Sequence, residues 1–267
     1  MTSTNSKGTA VITGASGGIG AVYADRFAKR GYDVLLIARD GKRLGDVAKR
    51  LSEQYGAKTA TVVADLTDRS ALLRLEAQLQ SDKNVSVLVN NAGFGGTKSL
   101  VDSSVDELEN MIFLNVTALT RLTAAVLPNL IAKKAGAVIN IASVVAVNPD
   151  ALNGTYSGSK AYVLNFTQSL FKTLKDTGVQ VQAVLPGATR TDFWDRAGLP
   201  VHNLPEKNVM SAEACVDAAL AAFDEKELVT IPALPDVEVW NRYEQSRLAL
   251  YPFLSSKEAA KRYSLNG

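Results

Sequence analysis

Cysteine and histidine, which build many metal and redox sites, are almost missing from this sequence. Its 267 residues contain one cysteine, Cys215, and one histidine, His202. A single cysteine excludes an internal disulfide and a cysteine-based metal cluster, and a lone histidine forms no metal site unaided. Cys215 lies in line with alanines at helical spacing, which indicates a buried small residue in preference to a nucleophile. His202 is interpreted as a surface residue in preference to a base. We therefore expect no metal.

The sequence also lacks an excess of one charge and a long hydrophobic run. Its 29 basic and 27 acidic residues leave a net charge of +2, with no basic block that would follow a phosphate backbone, so nucleic acid is not an expected partner. Residues 1–8 are polar, are expected to be flexible and contain no apolar signal core. No apolar run approaches the roughly 20 residues of a membrane span. These absences predict a cytoplasmic protein with no membrane partner.

What the sequence does contain is a regular alternation of short β-branched runs and longer helical patterns, up to about residue 232. The predicted strands cover residues 9–13, 33–38, 59–63, 85–90, 137–143, 179–186 and 228–232, and the predicted helices cover 19–30, 43–55, 70–80, 105–132, 156–175 and 211–224. This alternation predicts a Rossmann-like, doubly wound parallel sheet of about seven strands flanked by helices, in a single α/β domain over residues 1–267. Ligands of such sheets bind beyond the carboxyl ends of the strands.

A glycine-rich turn follows the first predicted strand, with the sequence TGASGGIG over residues 13–20. Glycines there let backbone N–H groups approach a pyrophosphate at the start of a helix. The pattern T-G-x-x-x-G-I-G resembles the cofactor motif of the short-chain dehydrogenase/reductase family, and the alternative is a tight turn without a ligand. The expected cofactor contacts are Thr13, Gly14, Ser16, Gly18, Ile19 and Gly20.

The end of the second predicted strand is where such folds read the adenosine ribose. Ala38 stands where NAD-preferring relatives tend to carry Asp, and Arg39 offers a guanidinium suited to a phosphate. This pair predicts a preference for NADP(H), with NAD(H) possible. In the alternative interpretation Arg39 is a solvated charge and Asp40 contacts the ribose.

Two further segments resemble cofactor contacts of the family. Asp65 follows the third predicted strand and resembles the family's adenine contact, although a cap near Thr67 is an equally good interpretation. The segment NNAG over residues 90–93 resembles the family's motif after the fourth strand, in which Asn91 supports the strand and Gly93 leaves room for the cofactor.

The pattern Y-x-x-x-K at Tyr156 and Lys160 places both side chains on one face of a helix, one turn apart. An adjacent ammonium is expected to lower the pKa of the tyrosine. Ser143, at the end of the fifth predicted strand, can polarise a substrate carbonyl. Asn115, an unfavourable residue inside a helix, resembles the family's asparagine that holds a water leading to the lysine. Taken singly, Ser143 and Asn115 could be structural; together the four predict catalysis.

After the sixth predicted strand, the sequence PGATRT resembles the family's segment against the nicotinamide. It adds the expected cofactor contacts Pro186, Gly187, Thr189 and Thr191. The resemblance covers residues 7 to 232, in the motif order of the shorter, single-domain branch. It implies carbonyl–alcohol interconversion with Tyr156 as general acid/base, and a homodimer or homotetramer.

Substrate identity is expected to lie in residues 192–208, here called the substrate loop. Its apolar residues predict a lid over a hydrophobic ketone, aldehyde or alcohol, or alternatively a surface loop packed on the sheet. Residues 235–267 predict a helical extension that covers the cleft, forms a subunit contact or rests on a membrane. Two other functions stay open at this point: an NADP(H)-binding regulator or scaffold without turnover, and a non-redox enzyme on the same scaffold.

Overall fold

The computed structural model describes residues 6–263 and contains the predicted parallel sheet. The strands are β1 (Thr9–Thr13), β2 (Asp33–Ala38), β3 (Thr59–Val63), β4 (Val85–Asn90), β5 (Gly136–Ile141), β6 (Val179–Val184), β7 (Thr189–Arg190), β8 (Met210–Ser211) and β9 (Val229–Thr230). The helices are α1 (Gly18–Lys29), α2 (Gly41–Tyr55), α3 (Arg69–Ser81), α4 (Val105–Ile112), α5 (Leu119–Lys133), α6 (Gly154–Thr173), α7 (Phe193–Arg196), α8 (Ala212–Asp224) and α9 (Val237–Leu248).

Seven strands form one sheet in the order β3-β2-β1-β4-β5-β6-β9, and every pairing is parallel. The strand order reverses between β1 and β4, so a crevice opens beyond their carboxyl ends. The predicted fold class is confirmed. Three strands end earlier than predicted, β5 at Ile141, β6 at Val184 and β9 at Thr230. Ser143 therefore follows its strand instead of closing it. The two-residue pair β7 and β8 was not predicted.

Apolar side chains cover both faces of the sheet, which explains why its strands are continuous hydrophobic runs. On one face, buried residues of β1 and β2 such as Ile12 and Leu36 belong to the same core as Phe27 of α1. On the other face, Val11 and Leu88 share a core with buried residues of α3, α5 and α6. The two layers of helices leave the carboxyl edge of the sheet open for a site.

The predicted helix over residues 105–132 is interrupted by a π-helical segment, Phe113–Ala118, between α4 and α5. The whole stretch Val105–Lys133 is long and apolar enough to cross a membrane by length and composition, with a mean hydropathy of 1.5 in its most apolar window. The expectation that no apolar run reaches that length was therefore wrong. Because 44% of that window is buried inside the fold, as in the core helix of many proteins, the finding gives little support to a membrane span.

The chain separates into two compact units, one ending at Pro232 and the other beginning at Ala233. The first unit contains the whole sheet. The second contains α9 and two short 3₁₀ turns, Tyr251–Phe253 and Lys261–Tyr263, within the range 235–267 for which a helical extension is predicted. Residues 1–5 and 264–267 lie outside the described residues, so the expected flexibility of residues 1–8 and the single domain over residues 1–267 stay predictions.

Candidate active site

A cavity of about 720 Å³ lies at the carboxyl edge of the sheet; we call it the cleft. Fifteen of the residues predicted for the site line it, and they come from the segments that follow six different strands and from helix α6. They are Gly14, Ser16, Gly18, Ile19, Arg39, Asp65, Asn91, Gly93, Ser143, Tyr156, Lys160, Pro186, Gly187, Thr189 and Thr191. Three predicted residues, Thr13, Gly20 and Asn115, are not in its wall.

The glycine-rich turn approaches its neighbours too closely for side chains. A Cβ on Gly14, whose φ is +69°, would lie 2.7 Å from Nδ2 of Asn91, and one on Gly20 would lie 2.3 Å from the carbonyl oxygen of Gly14. Helix α1 begins here with no side-chain cap and no acidic residue in its first turn. Its N-terminus therefore presents backbone N–H groups and the positive end of the helix dipole to the cleft, as an anion site requires.

Thr13 supports this turn from below. Its Oγ1 accepts hydrogen bonds from the backbone N–H groups of Asn91 at 3.0 Å and Ala92 at 2.9 Å. The Asn91 side chain in turn donates to the carbonyl oxygen of Thr13 at 2.9 Å. Thr13 and Asn91 thus tie β1 to β4 at the point where the strand order reverses. Thr13 holds the turn in place without facing the cleft.

The polar end of the cleft carries two arginines and two acids. Asp40 caps α2 by accepting a hydrogen bond from the backbone N–H of Arg43 at 3.0 Å, which leaves less of its carboxylate for a ribose. Asp65 accepts bonds from the backbone and side chain of Thr67, at 2.9 and 2.7 Å, as the cap interpretation expected, while its other oxygen lies 3.8 Å from Arg39. Arg39 keeps 63% of its side chain exposed and can turn toward an anion.

Arg43 is a lining residue that sequence reasoning missed. It stands four residues after Arg39, in the first turn of α2, and its guanidinium lies against Gly17 of the glycine-rich turn. Its NH1 forms a 2.6 Å ion pair with Oδ2 of Asp192 in the substrate loop. Both side chains are about half exposed, so the pair can exchange for another anion. The four-residue spacing between Arg39 and Arg43 was the available signal that Arg43 lies near the cleft. Nothing in the sequence indicated that Asp192 pairs with Arg43.

Tyr156 and Lys160 lie one turn apart at the start of α6, and both are 6% exposed. The helix begins before Tyr156, as Asn153 caps it by accepting a hydrogen bond from the N–H of Thr155 at 2.8 Å. The Nζ of Lys160 donates to the carbonyl oxygen of Ile141, the last residue of β5, at 2.8 Å. That nitrogen is 5.7 Å from the centroid of the Tyr156 ring.

Burial moves the pKa values of this pair in opposite directions. It raises the pKa of Tyr156 well above its ordinary value, while a hydrogen bond with Ser143 acts to lower it. Burial lowers the pKa of Lys160 to about 8. The expectation that the ammonium lowers the pKa of Tyr156 does not describe this cleft, because desolvation is the dominant effect on both groups.

Asn115 lies in the π-helical segment and is buried behind Lys160. Its side chain exchanges two hydrogen bonds with the backbone of Phe94, at 3.2 and 2.9 Å, and donates a third to Oγ of Ser159 at 3.0 Å. A Cβ on Gly93 would lie 3.0 Å from Oδ1 of Asn115 and 3.5 Å from Nζ of Lys160. Gly93 therefore lets the asparagine and the lysine converge on the same stretch of backbone.

The segment after β6 crosses the other side of the cleft. Ser143 Oγ donates a long hydrogen bond to the carbonyl oxygen of Pro186, at 3.4 Å. The methyl group of Thr191 packs on Gly18, where a Cβ would lie 2.8 Å from it. This segment therefore connects Ser143, which the sequence predicts to be catalytic, with the glycine-rich turn, and β7 within it pairs with β8.

The substrate loop lines the cleft with four apolar residues, Phe193, Trp194, Leu199 and Leu204, and with the charged Asp192 and Arg196. Together with Phe94, Val145 and Leu152, the four apolar residues make an apolar wall around Tyr156. The loop is tied down at Ala197, whose carbonyl oxygen accepts a hydrogen bond from Oγ1 of Thr97 at 2.8 Å. That the loop acts as a lid over the substrate stays a prediction. His202 is exposed in a 3₁₀ turn, and burial raises the pKa of Cys215 to about 11.

Within residues 6–263 the structure has no group of three or more His, Cys, Asp or Glu side chains that could hold a metal ion. The polar groups of the cleft are arginines, Lys160, three aspartates, the Asn91 amide, hydroxyls and backbone N–H groups. The site is thus a long crevice with an anion-binding end and an apolar end, and a buried tyrosine stands between them.

Comparisons with known proteins agree with this arrangement. A profile of the short chain dehydrogenase family matches residues 8–199. The chain is 37% identical over 182 residues to the very-long-chain 3-oxoacyl-CoA reductase of Anas platyrhynchos, covering 66% of this chain and 58% of that protein. It is 36% identical over 214 residues to the Bos taurus reductase of the same name, covering 76% and 66%. The chain thus spans less than two thirds of the length of these two relatives.

Solved structures give matches over nearly the full length. A short-chain dehydrogenase from Sphingobium yanoikuyae in complex with NADPH is 44% identical, with a TM-score of 0.93 over 96% of this chain and 100% of that one. The bulky-bulky ketone specific alcohol dehydrogenase from Comamonas testosteroni is 41% identical, with a TM-score of 0.88 over 96% and 98%.

Proposed function

The chain belongs to the short-chain dehydrogenase family and is an NAD(P)-dependent oxidoreductase, and from this premise we propose that it interconverts a bulky, apolar ketone and its alcohol with NADP(H). The observation that carries the proposal is the position of Tyr156. Its phenol is buried between Lys160 and an apolar wall, at the junction of the anion-binding and apolar ends of the cleft.

The residues of the cleft fit a dinucleotide. A pyrophosphate can approach the backbone closely at Gly14 and Gly20, because no side chain stands there. The uncapped start of α1 offers it backbone N–H groups. Lys160 and the segment from Pro186 to Thr191 would hold the nicotinamide end. When bound, the nicotinamide supplies or accepts the hydride.

The chain's own residues supply the proton. In reduction, the Oη–H bond of Tyr156 breaks and its proton passes to the substrate oxygen, while Ser143 donates a hydrogen bond to that oxygen. Burial raises the pKa of Tyr156, so the phenol keeps its proton until a stronger base forms beside it. Lys160, with a pKa of about 8, can then return a proton to the phenolate. Asn115 fixes the backbone behind Lys160 as a positioning residue.

The preference for NADP(H) is proposed from two arginines. Arg39 and Arg43 both line the polar end, and neither Asp40 nor Asp65 is free of local hydrogen bonds. Guanidinium groups suit a 2′-phosphate, and the Sphingobium neighbour is described with NADPH. NAD(H) remains a slower alternative cofactor in this proposal.

The apolar wall supports a substrate with large hydrocarbon groups. Phe94, Phe193 and Trp194 place aromatic faces around Tyr156, and apolar walls gain free energy by burying apolar substrate surface. The Comamonas neighbour is described as specific for bulky-bulky ketones, which points the same way. We also propose that the protein is cytoplasmic and forms a homodimer or homotetramer. Light scattering of the purified protein would test the oligomeric state.

NADPH oxidation over a series of ketones and aldehydes, with NADH in parallel, tests this function. We expect turnover of aryl and long-alkyl ketones, faster with NADPH, and a loss of at least about 100-fold in kcat for Tyr156→Phe. Tyr162→Phe, on the same helix, is the matched control, and its activity should match wild type. Absence of turnover with any carbonyl would favour a regulator or scaffold instead, and full activity of Tyr156→Phe would refute the assigned proton donor.

A further inference from the structure

Gly95 lies where the tyrosine of the cleft meets the substrate loop. A Cβ on this glycine would be 2.8 Å from Cζ of Phe193, 2.9 Å from Cδ2 of Tyr156 and 3.0 Å from Cε2 of the same ring. These distances are shorter than ordinary carbon contacts. Gly95 is not among the residues with positive φ, so its backbone conformation does not require glycine. The requirement for glycine comes from the two neighbouring rings.

Further contacts hold both rings in the positions where an added methyl group would meet them. Tyr156 is buried and packs with Met111 and Val145. Phe193 contacts the Tyr156 ring, with centroids 5.7 Å apart, and meets the Trp194 ring edge-on, at 5.4 Å and 88°. The indole of Trp194 is itself fixed by a 3.0 Å hydrogen bond from Nε1 to the carbonyl oxygen of Thr189.

We propose that Gly95 is a positioning residue for Tyr156 and that Phe193 is a specificity-determining residue, which limits the width of the substrate that can lie beside that tyrosine. Gly95 leaves the space into which both rings fit. Phe193 fills the space that a larger substrate group would need. The substrate-width part rests on the proposed function, whereas the positioning part concerns the packing of the protein itself.

Kinetic constants of Gly95→Ala test the positioning. Because a displacement of about 1 Å can cost a factor of about 100 in rate, we expect kcat to fall by about 10- to 100-fold, with a smaller change in KM. Gly96→Ala is the matched control, as its Cβ would meet only Cε of Met111, at an ordinary 3.7 Å. Equal kcat values for the two variants would overturn the positioning role.

The double variant Gly95→Ala/Phe193→Ala tests the shared space. Removing the phenyl ring gives the new methyl group room, so we expect the double variant to recover most of the kcat lost by Gly95→Ala. If Gly95→Ala alone fails to fold, recovery of folding in the double variant would support the same steric conflict between the new methyl group and the Phe193 ring. A double variant as impaired as the single one would contradict it.

Phe193→Ala alone tests specificity. We expect its kcat/KM to rise about tenfold for ketones with an additional ring beside the carbonyl, and to fall for small ketones that lose contact with the wall. An unchanged ratio between large and small ketones would overturn the specificity role.

A readout without turnover separates these results from the proposed function. The chain has two tryptophans, so Trp240→Phe leaves Trp194 as the sole emitter. In that background we expect Gly95→Ala to shift the emission of Trp194, and Gly96→Ala to leave it unchanged. If wild type reduces no carbonyl but this shift is seen, the function fails and the positioning stands; no shift would overturn the positioning as well.

Discussion

Replacement of Lys160 by methionine is expected to stabilise the protein at neutral pH although it removes a residue of the active site. Burial lowers the pKa of Lys160 from an ordinary 10.5 to about 8. At about 1.4 kcal/mol for a tenfold change in proton affinity, holding this charge inside the fold costs about 3 kcal/mol at pH 7. Methionine has a similar length and no charge. Losing the bond to Ile141 offsets about 1 kcal/mol of the gain, so we expect a net gain of about 2 kcal/mol.

The sign of the pH dependence follows from the two protonation states. Below pH 8 both the folded and the unfolded chain carry the ammonium, so the penalty is complete. Between pH 8 and 10.5 the unfolded chain binds more protons at this site, so wild-type stability rises with pH relative to the variant. Above that range the penalty is absent. The advantage of Lys160→Met should therefore shrink steadily from pH 8 upward.

Urea denaturation of both proteins between pH 6.5 and 10 measures this difference. Lys172→Met is the matched control because Lys172 is exposed on the same helix, and we expect its difference from wild type to stay within about 0.5–1 kcal/mol and to vary little with pH. A Lys160→Met variant less stable than wild type at pH 7, or an advantage that stays constant to pH 10, would refute the burial argument for this lysine.

Three other substitutions test Arg43 and Asn115 of the site and Asp25 of α1, which does not line the cleft. Arg43→Ala should weaken NADPH binding about tenfold with little effect on NADH, measured by titration calorimetry; Asp192→Asn breaks the same exposed pair, which is worth less than about 1 kcal/mol, and should leave NADPH affinity nearly unchanged. Asn115→Ala leaves its buried partners unsatisfied and should cost about 2–3 kcal/mol of stability, more than Ser159→Ala, with reduced kcat. Asp25→Asn should cost about 3 kcal/mol near pH 7 because the buried carboxylate pairs with two arginines; since its pKa lies below 3.8, this cost should disappear as the pH falls through that folded value.

The strands and the glycine-rich turn could be predicted because their signals are local. Continuous apolar runs identify strands covered on both faces, and Gly14 to Gly20 stand directly after the first of them. Tyr156 and Lys160 needed only helical spacing to share a face. Each of these signals lies within one element and its neighbours along the chain, so no knowledge of distant contacts was needed.

Contacts between distant segments could not be predicted in the same way. Arg43 and Asp192 are separated by most of the chain, and either charge alone resembles a solvated one. The early end of β5, which places Ser143 directly before a 3₁₀ turn, depends on its pairing with β6. The direction of the pKa of Tyr156 was mistaken because sequence spacing shows the nearby ammonium but not the depth of burial.

That burial gives the tyrosine and the lysine an order of proton release that their ordinary pKa values would not. In water, tyrosine and lysine lose their protons at nearly the same pH. In the cleft, desolvation favours the neutral form of each group, so Lys160 releases a proton more readily and Tyr156 less readily. In the proposed reaction, Tyr156 would give its own proton to the oxygen of the reduced carbonyl, and Lys160 would then pass a proton downhill to the Tyr156 phenolate. The same desolvation that makes the buried lysine costly to the fold would thus direct protons toward the substrate.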